Sequence, residues 1–515
     1  MDNKYHGAAT RYAPLIVHLC FYTATCLIGA LLFYYQYGPF LILVDYFSGI
    51  NVPLPYPADG SRKLLLLLLG APLLFSAGYA LAVRFRFTPL ETFVGLLSGA
   101  PERRIPTWFP VVVFLLSALA GAISLARSGA FVHFGAWSNY GVWVQARWAL
   151  FDQLGFFSFA NLYTVLAVAA AWVILACPLR GLAGWGLRCS CLAVMMTLAF
   201  FLFQKRVLVT SALFIVFAVI LNHVLAFGWE RRVKRLLGVS IGLIACLYFV
   251  LVVAPVYLES TQTADEIIRQ TAEQVVADIA KEDATVELHA GGSAQAEHEV
   301  IKKALQQSLA KPAHDESEAE RQAKNQQRAQ AINELIGKER NFHVFFYSLL
   351  APMTRTSAPA MFYPIVFPYH HPLYGFDAGQ DILGVGFMPD DNKVVWEYMY
   401  PNTPGGSVAA PFQFVLYSQV GVAAAMALSL VLGAVIGALW RIVIYHRSPQ
   451  VWRSLMGSVL LMFSGYVALD SMRGSLLASY GAIWGWLFVI AAFWLGGRLE
   501  GLGMALRRYT ERAGK

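Results

Sequence analysis

The chain of 515 residues is 57% hydrophobic and only 14% charged, where soluble globular proteins carry roughly a quarter charged residues. Apolar stretches of about 20 residues, enough to cross a bilayer, recur toward both ends and exclude a soluble enzyme. The net charge of +8 admits nucleic acid as a partner, but the cations sit in short loops between apolar stretches. Membrane topology puts them there, and nucleic acid is set aside.

In chain order, MDNKYHGAATRYAPLIV leads into a first apolar stretch with no small-residue cleavage site behind it, so a retained helix is expected rather than a signal peptide. The pattern predicts spans at roughly 13–35, 63–83, 107–126, 155–177, 189–203, 207–228, 237–257, 411–440, 452–469 and 475–497. The expected fold is all-α, a polytopic integral membrane helix bundle of about ten transmembrane helices with one large extracytoplasmic helical loop. It divides into a bundle of about seven helices (1–257), the loop (258–410) and a C-terminal bundle of about three (411–515). Twenty loop and terminal cations fall on one side of this arrangement and only seven in the short loops of the other, which places both termini in the cytoplasm. The six cysteines lie in or beside spans with no disulfide framework, and Cys189-x-Cys191 is too tight for a zinc site.

Within 189–228, Gln204-Lys205-Arg206 interrupts about forty apolar residues. A single helix there would be about 60 Å long, twice the hydrocarbon thickness. Two spans joined by a tight turn fit better and put Lys205 and Arg206 at the outer face. In the loop, Ile268, Ala272, Val275, Val276 and Ile279 repeat at helical spacing. Gly291-Gly292 ends that helix, and a second carries Val300, Ile301, Leu305 and Leu309 up to Pro312. This helical insert, 262–340, packs on itself or on a partner and shows no chemistry. Segment 341–410 is aromatic, proline-rich and nearly free of acids before Asp377. Such density suits a segment lying on the membrane surface or capping the bundle, and aromatic faces also suit sugar rings.

Three stretches resemble the O-antigen polymerase (Wzy-type) family of oligosaccharide repeat-unit polymerases. SLLAPMTRTSAPAMFYPIVFPYHHPLYG is similar to that family's arginine, Pro-Ala and aromatic run with a Pro-x-x-x-Gly turn. YPNTPGGSVAAPFQFVLYSQVGVAAAMALSLVLGAVIG leads a small-residue loop into a long helix with an aromatic-x-x-x-Gly pattern. The front half follows the family's order, an outside loop ending in VQARWALF and then a basic pair in LFQKRVLV. Together they cover about half the chain. The related O-antigen ligases carry a His-Asn pair before the long helix, where this chain has Val408-Ala409-Ala410, which favours polymerase.

The resemblance implies a metal-independent transfer between polyprenyl-diphosphate-linked oligosaccharides at the outer leaflet of a bacterial plasma membrane, with no cofactor. The leaving group is a diphosphate, which guanidinium groups bind bidentately. The expected diphosphate-binding residues are the outside cations Arg147, Lys205, Arg206, Arg355 and Arg473. Each has a plainer reading. Arg147 can snorkel to headgroups, Lys205-Arg206 can mark a turn, and Arg473 can pair with Asp470 at i, i+3. Expected catalytic residues are Arg355, His371 and Asp377, with His370, Asp381, Asp390, Asp391 and Glu397 as further bases. The outer loop has no Asp-x-Asp to hold a nucleotide-sugar donor through a metal. Besides the lipid-linked glycan and the bilayer, a chain-length regulator or other envelope-assembly protein is a candidate partner. The alternatives are a ligase-like glycan transferase, a non-catalytic flippase or transporter, and a structural anchor working through the insert.

Overall fold

The computed structural model describes residues 8–35, 58–85, 92, 105–132, 150, 153–177, 179, 181–202, 204–249, 356–375, 391–400, 408–445, 448–471, 475–476 and 480–513. The insert 262–340 lies outside them. The architecture is an all-α polytopic bundle. Among the described residues eight helices are long and apolar enough to cross a membrane. In chain order the elements are α1 (Ala13–Tyr34), α2 (Gly60–Ala82), α3 (Phe109–Arg127), α4 (Phe157–Ala176), α5 (Gly181–Phe200), α6 (Lys205–Phe227) and α7 (Arg231–Tyr248). They continue with α8 (356–366), α9 (Asp391–Met399), α10 (Phe412–Tyr445), α11 (Gln450–Tyr466) and α12 (Ala482–Ala513).

Two of the ten expected spans fall short of that measure. The 237–257 stretch begins inside α7, whose first turns carry Arg231, Arg232, Lys234 and Arg235, and 250–257 lie outside the described residues. The 452–469 stretch is α11, 17 residues or about 25 Å long. α11 is buried along most of its length. Its Ser454, Ser458 and Ser464 hydroxyls return to the carbonyls of Gln450, Ser454 and Leu460, so they enter the core satisfied. α4 is apolar on every side, and residues 166–173 are all buried. α3 instead turns Leu115, Leu116, Leu119 and Ile123 outward, as a lipid-facing helix does.

The long helix expected over 411–440 is broken. Gly421 has φ 78° and ψ 173°, a backbone open to glycine and costly for side chains. The two arms, 412–420 and 422–445, fold back on each other. The Phe412 ring lies 6.2 Å from that of Phe75, while Gly433 sits directly against the Phe75 carbonyl. A continuous helix would separate 412 from 433 by about 30 Å. The break strips carbonyls from the helical ladder, and the 371–375 segment supplies their donors: Tyr374 N–H bonds Ser418 O (3.1 Å) and Gly375 N–H bonds Gln419 O (2.9 Å).

The second arm runs along α2 over a small-residue seam. A Cβ on Gly78 would lie 2.0 Å from the Leu430 carbonyl oxygen, and one on Gly437 2.7 Å from that of Tyr79. Close backbone approach of this kind is how helices pack where lipid removes the hydrophobic drive. Three π-turns, Thr23–Leu27, Leu66–Gly70 and Asn161–Val165, interrupt α1, α2 and α4. Two of them give a carbonyl to a neighbouring side chain: Thr356 hydroxyl to Thr25 O, and Tyr22 hydroxyl to Leu68 O at 2.9 Å. The third carries Asn161, whose amide bonds Ser117 O at 2.9 Å.

At one end of the bundle Trp440 and Trp229 both bond Thr10, and Tyr79 bonds the Arg11 carbonyl. Arginines there cap the carbonyl ends of neighbouring helices. Arg441 reaches Val83 O and Arg84 O, Arg453 reaches Ile444 O, and Arg188 reaches Ile174 O and Cys177 O. Part of the lopsided charge count is therefore helix capping, a cation placed against the negative end of a helix. The starts of α2 and α6 lie at the opposite end, with Lys63 and Arg206.

Candidate functional site

The expected turn between two spans exists. α5 ends at Phe200, Gln204 is extended (φ −123°, ψ 106°), and α6 begins at Lys205, earlier residues 181–188 extending α5 beyond its expected start. Arg206 therefore sits in the first turn of α6, where the helix dipole disfavours a cation. Its anion comes from the other half of the chain. The turn after α11 brings Asp470 Oδ2 to 3.4 Å from Arg206 Nη2. Tyr466 hydroxyl accepts from Arg206 Nε at 3.2 Å, and the guanidinium carbon lies 4.4 Å from the Tyr466 ring centroid. Asp470 Oδ1 in turn accepts the Ser471 N–H at 2.8 Å.

The surroundings hold Tyr466 in place. Thr210 hydroxyl bonds the Tyr466 hydroxyl, and Tyr480 stacks on the Tyr466 ring at 5.0 Å and 17°. Thr164 donates to the Tyr480 carbonyl, and Tyr163 donates to the Gln204 side chain. Four helices thus converge on one guanidinium, α4, α6, α11 and the entry to α12. Its side chain is 29% exposed against 11% for Asp470. Asp470 thus pairs with Arg206. The carboxylate follows the tight 466–470 turn toward α6, and Arg473 lies outside the described residues.

A second cluster lies on 356–375. α8 is buried from Thr356 to Phe367, so this part of the aromatic segment enters the bundle rather than lying over it. Tyr363 hydroxyl donates to Asp391 Oδ2 at 2.9 Å, and Ser418 hydroxyl reaches the same oxygen at 3.1 Å. Asn392 stands 2.7 Å from that phenol. The phenol has one proton to give, so Asp391 Oδ2 and Asn392 Oδ1 share it as acceptors. Asp391, one of the expected bases, is 8% exposed and ties α8, α9 and the first arm of α10 together. Glu397 makes an exposed helix pair with Lys393 at 3.8 Å.

Beyond α8 the chain surfaces. Tyr369 is 54% exposed, its hydroxyl 3.1 Å from Lys63 Nζ. His370 and Tyr398 lie with ring centroids 4.9 Å apart, and burial raises the Tyr398 hydroxyl above its ordinary pKa, so it stays protonated. His371 sits between Phe367 (5.5 Å) and Tyr374 (4.5 Å), its Nδ1 2.8 Å from the Pro372 carbonyl. A carbonyl can only accept, so Nδ1 carries a proton, which in the neutral ring leaves Nε2 as the acceptor.

The first arm of α10 joins the clusters. Phe412 N–H bonds Val467 O beside Tyr466, while Tyr417 bonds Phe367 O and Ser418 bonds Asp391. Six residues, about 9 Å of helix, separate those attachments. Of the expected site residues, Arg206, His370, His371, Asp391 and Glu397 are thus placed, and Lys205 only through its backbone. Arg147, Arg355, Asp377, Arg473, Asp381 and Asp390 lie outside the described residues. Tyr466, Thr210 and Tyr480 had not been anticipated. Their one sequence signal is Asp470, a lone acid ending an apolar stretch and therefore in need of a cation. No family model, curated protein or solved structure matches this chain.

Proposed function

We propose that the protein is a bacterial plasma-membrane glycosyltransferase that polymerises polyprenyl-diphosphate-linked oligosaccharide repeat units at the outer leaflet, with both termini in the cytoplasm. The observation that carries this reading is the Arg206 cluster. A guanidinium is built in by four helices, left partly open, and set at the end of the bundle opposite the helix-capping arginines. The sequence resemblance supplies the reaction class. An acceptor hydroxyl attacks the anomeric carbon of the donor sugar, and the bond to the diphosphate oxygen breaks. Polyprenyl diphosphate leaves with the electron pair, and the hydroxyl proton passes to a base. Arg206 meets the charge that grows on the departing diphosphate, where a preorganised donor has its largest effect. Arg147, Lys205, Arg355 and Arg473 are the other proposed phosphate ligands. His371, with Nε2 left as acceptor, is the proposed base, and Asp377 the other candidate.

One observation favours a second reading. Broken helices reversing inside a bundle are a device of transporters, where free helix ends line a substrate path, and α10 is broken at Gly421. A lipid-linked glycan flippase would use that break without any transfer chemistry. Arg355→Ala separates the two. The polymerase reading expects long surface glycan to vanish while single-repeat products persist at normal protein level, read by gel and immunoblot. Loss of single repeats as well would point to transport, and survival of long chains would remove Arg355 from the chemistry.

A further inference from the structure

Arg206 has five N–H donors in a planar fork. The Nε and Nη2 hydrogens that share one edge of that fork are the ones taken by Tyr466 and Asp470. Nη1 makes no hydrogen bond among the described residues, and the side chain is 29% exposed. The described residues thus occupy the side edge and leave the end edge, Nη1 with the second Nη2 hydrogen, without a hydrogen bond on a side chain that is partly exposed. The Tyr466 face fixes the plane of the fork at 4.4 Å, and Tyr466 is itself fixed by Thr210 and by stacking on Tyr480.

We propose that Asp470 and Tyr466 are positioning residues that convert Arg206 from a general cation into a fork selective for a lipid diphosphate over a lipid monophosphate, a role that rests on the diphosphate reading above. Asp470 cancels the charge of Arg206, so the pair attracts an anion by oriented donors rather than by net charge. A fixed end edge gives two parallel hydrogen bonds to oxygens of adjoining phosphoryl groups, while a monophosphate is satisfied by a mobile cation as well as by a fixed one.

The consequence runs against simple electrostatics. Asp470→Asn makes the cluster more positive, yet selectivity should fall. Full-length protein in nanodiscs is titrated with undecaprenyl diphosphate and with undecaprenyl monophosphate. The wild type should prefer the diphosphate by about tenfold or more, the worth of one charge-assisted hydrogen bond. In Asp470→Asn the ratio should fall toward one, with monophosphate affinity equal to or tighter than wild type. Asp470→Glu should recover part of the ratio. Tyr466→Phe keeps the ring and its packing but removes the Nε acceptor, so it should lower the ratio in a protein that melts like wild type. It carries the test if Asp470→Asn does not fold. An unchanged ratio in either folded variant overturns the positioning role while leaving the diphosphate reading standing. A wild type that binds neither lipid overturns both.

Discussion

Arg206→Ala should cut polymer formation by at least about 100-fold, the usual cost of removing one preorganised donor aimed at developing charge. The same change leaves Asp470, 11% exposed, without its cation. Stranding a buried partner in this way destabilises a protein by about 3–5 kcal/mol, and the 29% exposure of Arg206 reduces that cost. Lost activity could then reflect lost folding, which Arg206→Lys separates. Lysine keeps the charge and reaches Asp470, so the protein should melt close to wild type. It lacks the planar fork, and an ammonium cannot present two parallel donors beyond the Asp470 contact. The expected result is a folded protein that makes single repeats and few long chains. Long chains at wild-type length in Arg206→Lys would show that only charge matters at this position.

Gly433→Val should prevent the folded protein from accumulating. A Cβ there would lie 2.0 Å from the Phe75 carbonyl oxygen and 3.0 Å from the Phe75 Cα. Backbone atoms cannot rotate away as a side chain can, so α2 and the second arm of α10 must separate along the seam that includes Gly78 and Gly437. Overpacking usually costs about 1–3 kcal/mol, and a clash of this depth with backbone belongs above that range. Gly242→Ala is the matched control, since a Cβ at Gly242 meets nothing within 4 Å. Size-exclusion profiles of detergent-solubilised, fluorescently tagged variants should show no monodisperse peak for Gly433→Val and a normal one for Gly242→Ala. A normal peak for Gly433→Val would mean that the seam is not tightly packed.

The all-helical bundle was legible because apolar length is a direct readout of bilayer thickness. The α5–α6 turn was legible for a related reason, since Gln204-Lys205-Arg206 is the only charged interruption in a stretch too long to be one helix. The break in α10 was not. Around it the sequence reads Gln419-Val420-Gly421-Val422 inside a long apolar helix pattern, where the glycine permits a positive φ but nothing local demands one. The reversal depends on donors from Tyr374 and Gly375, more than forty residues upstream. For Asp470 the sequence offers Arg473 at i, i+3 as the ordinary partner, because spacing shows only local ones. Arg206, its partner among the described residues, is 264 residues away. Asp391 looked like a loop base and is a buried joint, since its role requires Tyr363 and Ser418 to arrive from two other elements. Single charged residues pointed to the site, whereas the aromatic frame around them emerged only from packing.

The central claim is that this chain itself transfers glycan between lipid diphosphates. Purified protein in nanodiscs, given the lipid-diphosphate-linked oligosaccharide repeat unit of its host and neither metal nor nucleotide sugar, tests it most directly. A ladder of products is expected, each longer by one repeat, with polyprenyl diphosphate released in step. Unchanged starting material beside a protein that moves the same lipid across the bilayer would contradict it.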